Sequence, residues 1–251
     1  MTTFDADGVA VESMGDPALD QPVLIEGLPG VGSVGPLVAD ELHAAGEVTL
    51  VRRIVSEHLP PEVTIEDGVG RLAAIDIHAV TIEGRDLLVA TAQGQPTTRR
   101  GFVDVGEAIL DVADSFGVQT TYTIGGVAVT SNDGEPGVMA TASEAGLLDP
   151  LSETAVEVRP NEPAGGVVGI SGMLLGLGGR RGHPVTCLIG ETDGSSIDHA
   201  SASRVLAVLA DIIDITVEPI ELEPPAQFTD VNAKAPDTGQ DDGDNDLRYI
   251  R

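Results

Sequence analysis

A chain of 251 residues is long enough for one α/β domain or for two small ones. Its 41 acidic residues against 13 basic ones give a formal net charge of −28, which argues against nucleic acid as a partner because phosphate binding needs a positive surface. With Lys234 as its only lysine, the chain is typical of a protein from a halophile, which works in concentrated salt where charge repulsion is screened.

The single cysteine, Cys187, lies in an apolar run and is expected to be a small buried side chain. A disulfide within the chain is therefore excluded, and a reduced, intracellular setting is expected. The N-terminus has no basic region followed by an apolar core, and no apolar run approaches the roughly 18–20 residues that span a bilayer. We expect a cytoplasmic protein without a membrane partner.

Short apolar or alternating runs between turn residues predict the strands. An edge strand is expected near residues 9–12, within an otherwise loose N-terminal lead over residues 1–21. Further strands are expected over 23–25, 48–55, 63–65, 72–82, 87–91, 119–125, 138–141, 154–158 and 185–189. A last extended element is expected over 215–222.

Apolar residues at helical spacing predict helices that start at Pro36, cover 102–116, run from Gly165 to Arg181 and cover 198–213. The third of these is unusual because seven glycines lie between Gly165 and Gly179. Each interior glycine costs roughly 0.5–1 kcal/mol relative to alanine. Such a sequence indicates that a second backbone packs closely against the helix, inside the fold or across a subunit boundary.

The glycine-rich helix is the expected place of contact where such packing is between subunits. The residues predicted to pack between subunits are Gly169, Gly172, Met173 and Gly176.

The alternation of strands and helices predicts a single α/β domain over residues 22–223. Its sheet should be mixed or mostly parallel and flanked by helices on both faces. From Pro224 the composition becomes polar and acidic, so residues 224–251 are predicted to be a disordered acidic tail. The tail ends in an apolar and basic tip formed by Leu247, Arg248, Tyr249, Ile250 and Arg251. A frayed terminus without a role is the alternative interpretation.

A glycine-rich turn after the first buried strand fits the dinucleotide pattern G-x-G-x-x-G through Gly30, Gly32 and Gly35. Such a turn can hold a phosphate on backbone N–H groups at a helix N-terminus. However, the following strand carries Arg52 and Arg53 where an acidic residue should hold the ribose. A tight structural turn is therefore the preferred interpretation, and no cofactor is expected.

Other patterns give no catalytic or metal site. Residues 169–173 approach the nucleophile-elbow pattern around Ser171 but lack its final glycine. The five histidines are scattered, and none forms a metal-ligand pair at helical or strand spacing. The acidic residues Glu191, Asp193 and Asp198 are interpreted as solvated loop carboxylates, with Asp198 also the expected N-cap of the last helix.

Four glycine-rich segments, in this order and spacing, resemble the proteasome assembly chaperone family in its archaeal form. They are Leu28–Gly35, the pair Gly125-Gly126, Gly169–Gly176, and Arg181–Pro184 running on to Thr192. The resemblance covers roughly residues 22–217. It implies a single α/β domain of the phosphorylase/hydrolase-like type, self-assembly, no established catalysis, and binding to the α-ring of the proteasome core particle.

The resemblance also implies a docking element. Archaeal relatives bind the α-ring through a C-terminal tail that reads hydrophobic–tyrosine–any residue. In this chain Tyr249 is third from the end, so the pattern is displaced by one residue. The residues expected to touch the proteasome are Leu247, Tyr249, Ile250 and Arg251.

Three functions follow as hypotheses. The first is a non-enzymatic proteasome assembly chaperone or adaptor that acts as a homo-oligomer through its tail. The second is a nucleotide- or nucleoside-binding α/β enzyme that uses the turn Gly30–Gly35 and the polar loop 93–97. The third is a scaffold oligomer unrelated to proteolysis.

Overall fold

The computed structural model describes residues 8–66, 68–129, 136–194 and 197–220. The strands of this part are β1 (Val9–Ser13), β2 (Val23–Glu26), β3 (Glu47–Ser56), β4 (Val63–Glu66), β5 (Val69–Leu72), β6 (Ala74–Ile82), β7 (Arg85–Ala92), β8 (Thr121–Ala128), β9 (Val138–Ala142), β10 (Val156–Glu157) and β11 (Val185–Thr192). The α-helices are α1 (Val34–Ala45), α2 (Arg99–Ser115), α3 (Gly169–Arg181) and α4 (His199–Ile213).

Nine of these strands form one mixed sheet in the order β1-β3-β6-β7-β2-β8-β11-β9-β10. The four strands β7, β2, β8 and β11 are mutually parallel and form its centre. The edge strand expected near residues 9–12 is present, because Val9 pairs with Ser56 and Ser13 with Arg52. The predicted fold class, an α/β domain with a mixed sheet flanked by helices, is confirmed.

Two apolar layers lie on opposite faces of the sheet, since alternate residues of a strand point to opposite sides. Helices α1 and α4 cover one face, where Leu42 and Leu209 are fully buried with Leu188 of β11. Helices α2 and α3 cover the other face, where Ile109 and Leu174 are fully buried. None of the described helices combines the length and the apolar character that crossing a membrane requires.

The glycine-rich helix is shorter than its sequence pattern predicted. It begins at Gly169, whereas Gly165 and Gly166 have φ angles of 92° and 81° and belong to the preceding loop. Positive φ is open to glycine but incompatible with a right-handed helix. In the extended element expected over 215–222, the described residues 215–220 pair with no strand of the sheet.

The run predicted as one strand over 72–82 is divided between two sheets. Its first residue, Leu72, closes a separate two-stranded ribbon of β4 and β5, while Ala74–Ile82 joins the main sheet. Val63 pairs with Leu72 and Ile65 with Gly70, so these side chains share one face of the ribbon. That face is exposed and apolar, since Val63, Ile65 and Leu72 are all more than half accessible.

Arg181, at the C-terminal end of α3, lies beside three acidic side chains of α2. It forms ion pairs with Glu107, with Asp111 at 2.7 Å and with Asp114 at 3.7 Å. Those carboxylates lie about one turn apart on one face of the helix, where like charges repel. The Asp111 carboxyl has a raised pKa because it is partly buried and because Asp114 lies next to it.

We predict that Arg181→Gln destabilises the protein by about 1 kcal/mol at low ionic strength, because it leaves the three carboxylates of α2 without their cation. The loss should shrink in concentrated KCl, since salt screens both the attraction and the repulsion. Urea denaturation at the two salt concentrations measures it. The matched control is Arg180→Gln, which removes the same charge from an exposed neighbour; an equal effect of both variants would show that only net charge matters.

Candidate functional site

A cleft of about 690 Å³ opens at the carboxyl ends of the central parallel strands. Its floor is formed by residues 124–128 at the end of β8 and by Ile189 of β11. The loop 163–168 and the first residues of α3 form one wall, and the turn around Gly30 forms another. Ligands of α/β proteins bind at this edge of the sheet, so the cleft is the primary candidate site.

The position of the cleft follows from the strand order. Strands β2 and β7 are neighbours, but α1 follows β2 on one face of the sheet and α2 follows β7 on the other. The loops that leave the two strands therefore diverge and leave a crevice between them. Gln95, from the loop after β7, lines this crevice together with Gly30, from the turn after β2.

The side chain of Gln95 fixes the walls of the cleft relative to each other. Its amide nitrogen donates to the carbonyl oxygen of Pro29 at 2.5 Å, and its amide oxygen accepts from the backbone N–H of Ile170 at 3.0 Å. It also lies against Gly169, whose φ of 78° and lack of a Cβ allow the close approach. The Gln95 amide thus connects the glycine-rich turn to the start of α3 through hydrogen bonds.

The glycine-rich turn packs two of its three pattern glycines against the protein itself. A Cβ on Gly35 would lie 2.9 Å from the carbonyl oxygen of Leu28, and a Cβ on Gly32 would lie 3.0 Å from the Thr192 hydroxyl. Gly32 also has a φ of 69°. By contrast, no atom in the described part of the chain lies within 4 Å of the corresponding position on Gly30, which lines the cleft. Close packing accounts for Gly32 and Gly35, and the use of this turn by a nucleotide stays the alternative hypothesis.

Glu26, the last residue of β2, is the most perturbed carboxyl group beside the cleft. It is fully buried, and its two oxygens accept hydrogen bonds from the Leu28 N–H at 3.0 Å and from the Ser171 hydroxyl at 2.7 Å. Burial raises the pKa of Glu26 to about 7, although both hydrogen bonds oppose the shift. Ser171 itself lines the cleft, so Glu26 lies directly behind its wall.

A polar row continues from Glu26 across the sheet. Glu26 pairs with Thr123 of β8, which pairs with Cys187 of β11, so the three side chains point to the face covered by α3. Burial raises the pKa of the Cys187 thiol to about 12, and the nearby Glu26 adds to the shift. Cys187 is therefore a neutral buried side chain, in agreement with the interpretation of the sequence.

The residues predicted to pack between subunits have different surroundings. A Cβ on Gly172 would collide with the carbonyl oxygen of Val167, so this glycine is required inside the chain. Met173 packs against α2 within the chain, since a Cβ on Gly106 would lie 3.1 Å from the Met173 Cγ atom. Gly176 is exposed, and none of the residues that the structure describes lies within 4 Å of its Cβ position. Its role in self-association stays a prediction.

The interpretation of Glu191 as a solvated loop carboxylate is wrong. Glu191 lies within β11, is 8% exposed, and accepts a hydrogen bond from the Gly137 N–H. Its carboxylate also pairs with Arg159 at 2.8 Å, and Arg159 bonds Glu157 and Glu162 as well. The three acidic side chains raise the pKa of the Arg159 guanidinium.

Asp198 has a defined structural role, since its side chain caps α4 by accepting from the Ser201 N–H at 2.9 Å. Among the described residues, no group of three or more His, Cys, Asp or Glu side chains is placed to hold a metal ion. The tip residues Leu247, Tyr249, Ile250 and Arg251 lie outside the described part of the chain.

Comparison with known proteins assigns the class of protein. Residues 24–232 match the PAC2 family. The uncharacterized protein MJ1210 of Methanocaldococcus jannaschii is 30% identical over 206 residues, which are 82% of this chain and 79% of that protein. The chain therefore belongs to the PAC2 family.

Solved structures of similar proteins extend this result. PbaB of Pyrococcus furiosus, an archaeal proteasome activator, matches with a TM-score of 0.78 and 30% identity over 84% of this chain and 91% of PbaB. PbaA of the same organism, an archaeal homolog of proteasome-assembly chaperone, matches with a TM-score of 0.69 and 21% identity over 84% of this chain and 88% of PbaA. At that identity the likeness to PbaA shows the fold alone. The resemblance found in the sequence is confirmed for family and fold, while a halophilic, archaeal origin stays a prediction.

We predict that Gly35→Ala lowers the free energy of unfolding by about 1–2 kcal/mol, because the added methyl group meets backbone atoms of Gly27 and Leu28. The clash should outweigh the gain that alanine brings to a helix. Gly30→Ala is the control, since its added methyl group meets no atom within 4 Å. A larger loss for Gly30→Ala than for Gly35→Ala would contradict this account of the turn.

We predict that Glu26 makes stability depend on pH. Because its pKa is about 7 in the folded protein and 4.5 for an exposed glutamate, the folded state keeps a proton that the unfolded chain has already lost. The stabilisation is complete below about pH 4.5 and is lost as the pH rises through about 7. Relative to Glu26→Gln, the wild type should lose about 3 kcal/mol over this range in urea denaturation. Parallel pH profiles for the two proteins would contradict the prediction.

Proposed function

We propose that the protein is a non-enzymatic adaptor or assembly chaperone that binds the α-ring of the proteasome core particle. The observation that carries the proposal is the 30% identity with the proteasome activator PbaB across 84% of this chain. At this identity and coverage the whole α/β domain is shared, so an interaction that depends on the domain can be shared as well. Membership of the PAC2 family supports the same conclusion.

The C-terminal segment is the proposed docking element. Ile220, the last described residue, is buried in the apolar cluster that contains α1 and α4, so the remaining residues 221–251 follow from a fixed point of the domain. We propose that this segment is the disordered tail that the sequence predicts, and such a tail would have a root-mean-square span of about 30 Å. The tip carries the apolar side chains Leu247, Tyr249 and Ile250, which suit insertion into apolar pockets between α subunits.

Self-association would strengthen this docking. Several tips on one oligomer raise the effective concentration of each tip once the first has bound. Two exposed surfaces support a homo-oligomer: the Gly176 side of α3 and the apolar face of the β4–β5 ribbon with Val63, Ile65 and Leu72. An exposed apolar face is unusual on a chain with a net charge of −28 and is typical of protein contacts.

We predict that deletion of residues 247–251 weakens binding to purified core particles at least tenfold, because the apolar contacts of the tip are lost and every copy in an oligomer loses them together. Co-sedimentation in concentrated KCl measures the binding. The matched control deletes residues 239–243, which shortens the chain equally but keeps the tip.

Two results would contradict the proposal. Full binding by the variant without the tip would show that the tail is not the docking element. No binding by the wild type would favour the third hypothesis, a scaffold oligomer unrelated to proteolysis. Sedimentation equilibrium of the same samples tests the oligomer directly, since a monomer at all concentrations would exclude multivalent docking.

A further inference from the structure

The part of the cleft lining that the structure describes is uncharged. Among the described residues the lining contains no ionisable side chain, and most of it is apolar, including Phe102, Ile124, Val127 and Ile189. A charged ligand would lose its hydration there without gaining a partner of opposite charge. A volume of about 690 Å³ lies in the usual range for sites that enclose a small organic molecule.

Gly125 keeps the floor of the cleft open. It lies in the middle of β8 and lines the cleft, yet no atom of the described residues lies within 4 Å of the position that a Cβ would take. Glycine inside a strand weakens the strand and often marks a site where another molecule approaches the backbone. Close packing therefore explains Gly126, whose Cβ would meet the carbonyl oxygen of Val31, but it does not explain Gly125.

A buried polar end adjoins this space. Ser171 lines the cleft and is 7% exposed, and its hydroxyl contacts Glu26 behind it at 2.7 Å. A hydroxyl offers one donor and two acceptor sites, so the bond to Glu26 leaves capacity for a second partner on the cleft side. The Thr123 hydroxyl, two residues before Gly125 on the same face, is buried without a hydrogen bond of normal geometry, and the Cys187 thiol beside it is a weak partner.

We propose that the cleft binds an uncharged, mainly apolar small molecule whose carbonyl oxygen accepts a hydrogen bond from Ser171, with Glu26 as the positioning residue behind it. When Glu26 is protonated, its O–H donates to the Ser171 oxygen and the Ser171 O–H is directed to the cleft. When Glu26 is ionised, Ser171 donates to Glu26 and presents only lone pairs to the cleft. The protonated state of the pair is therefore the one that binds a carbonyl group.

The groups around Glu26 indicate that the titration of Glu26 itself controls whether Ser171 donates to the ligand. Its neighbour on β7 is Ala90, its neighbour on α3 is Ser171, and the titratable group that faces it from β11 is the Cys187 thiol. With a pKa of about 12, the thiol stays neutral while Glu26 titrates at about 7. Ligand binding should consequently weaken as the pH rises through about 7.

The test uses the full chain in concentrated KCl and the neutral naphthyl ketone Prodan, which is apolar, carries one carbonyl group, and changes its emission when it leaves water or accepts a hydrogen bond. We expect Prodan to bind the wild type about tenfold more weakly near pH 8 than near pH 6, in proportion to the protonated fraction of Glu26. Glu26→Gln should bind Prodan equally well at both pH values, because the amide of the new side chain donates to Ser171 at any pH.

Two further variants and one control locate the site. Gly125→Leu should weaken binding at least tenfold at both pH values, because its side chain fills the cleft. The control Gly146→Leu adds the same side chain at an exposed position, where likewise no described atom lies within 4 Å of the Cβ position. It should not change the affinity for Prodan. Ser171→Ala should bind equally at both pH values, with the affinity of the wild type near pH 8, because it lacks the donor.

The proposal is overturned if Prodan does not bind the wild type, if Gly125→Leu binds it as well as Gly146→Leu does, or if Glu26→Gln keeps the pH dependence. The site does not depend on binding to the proteasome, so failure here leaves the proposed function standing. The reverse also holds, since the variant without residues 247–251 should bind Prodan like the wild type.

Discussion

The hydrogen bond between Glu26 and Ser171 joins two parts of the chain that are 145 residues apart. Glu26 ends the second strand, at the middle of the sheet, and Ser171 lies in the first turn of α3. A carboxyl group placed in a fully buried position must be hydrogen-bonded or neutral, and this one combines two hydrogen bonds with a raised pKa. This contact and the hydrogen bonds of Gln95 to Pro29 and Ile170 fix the position of α3 over the sheet. They therefore also fix one wall of the cleft.

The small number of basic side chains determines how ion pairs are arranged elsewhere in the molecule. With 13 basic residues against 41 acidic ones, an arginine placed between several carboxylates relieves more repulsion than an arginine in a simple pair. Arg181 forms ion pairs with three acidic residues of α2, and Arg159 forms ion pairs with three acidic residues from different segments. The acidic surface that remains is tolerable where salt is concentrated, because repulsion is then screened over a few ångströms.

Two separate regions carry the proposed activities. The terminal tip would connect the protein to a larger assembly, while the cleft lies in the α/β domain at the edge where such domains bind ligands. PbaB shares the domain, and the PAC2 match ends at residue 232, so the acidic segment and tip beyond it lie outside the matched region. An adaptor with an uncharged cleft could respond to a small molecule without using its docking tip for that purpose.

The sequence by itself determined the fold class, the family and several local features. Alternating strand and helix patterns predicted the layers because a strand or a helix must bury its apolar face against a neighbour. Asp198 was recognisable as a helix cap, and Cys187 as a buried side chain, from residues within one turn or one strand of them. The start of α3 was missed because apolar periodicity continues through Gly165 and Gly166, where the backbone turns to positive φ.

Only the tertiary structure decided which polar residues form a site. Glu191 was interpreted as a solvated carboxylate and Glu26 fitted no pattern in the sequence, yet both are buried, Glu26 against Ser171 and Glu191 against Arg159. The pattern glycines Gly32 and Gly35 likewise belong to packing, whereas Gly125, which fits no phosphate-binding pattern, opens the cleft. Local patterns record which residues avoid water, but burial, pKa and open space arise from segments far apart in the chain, and those are brought together only by folding.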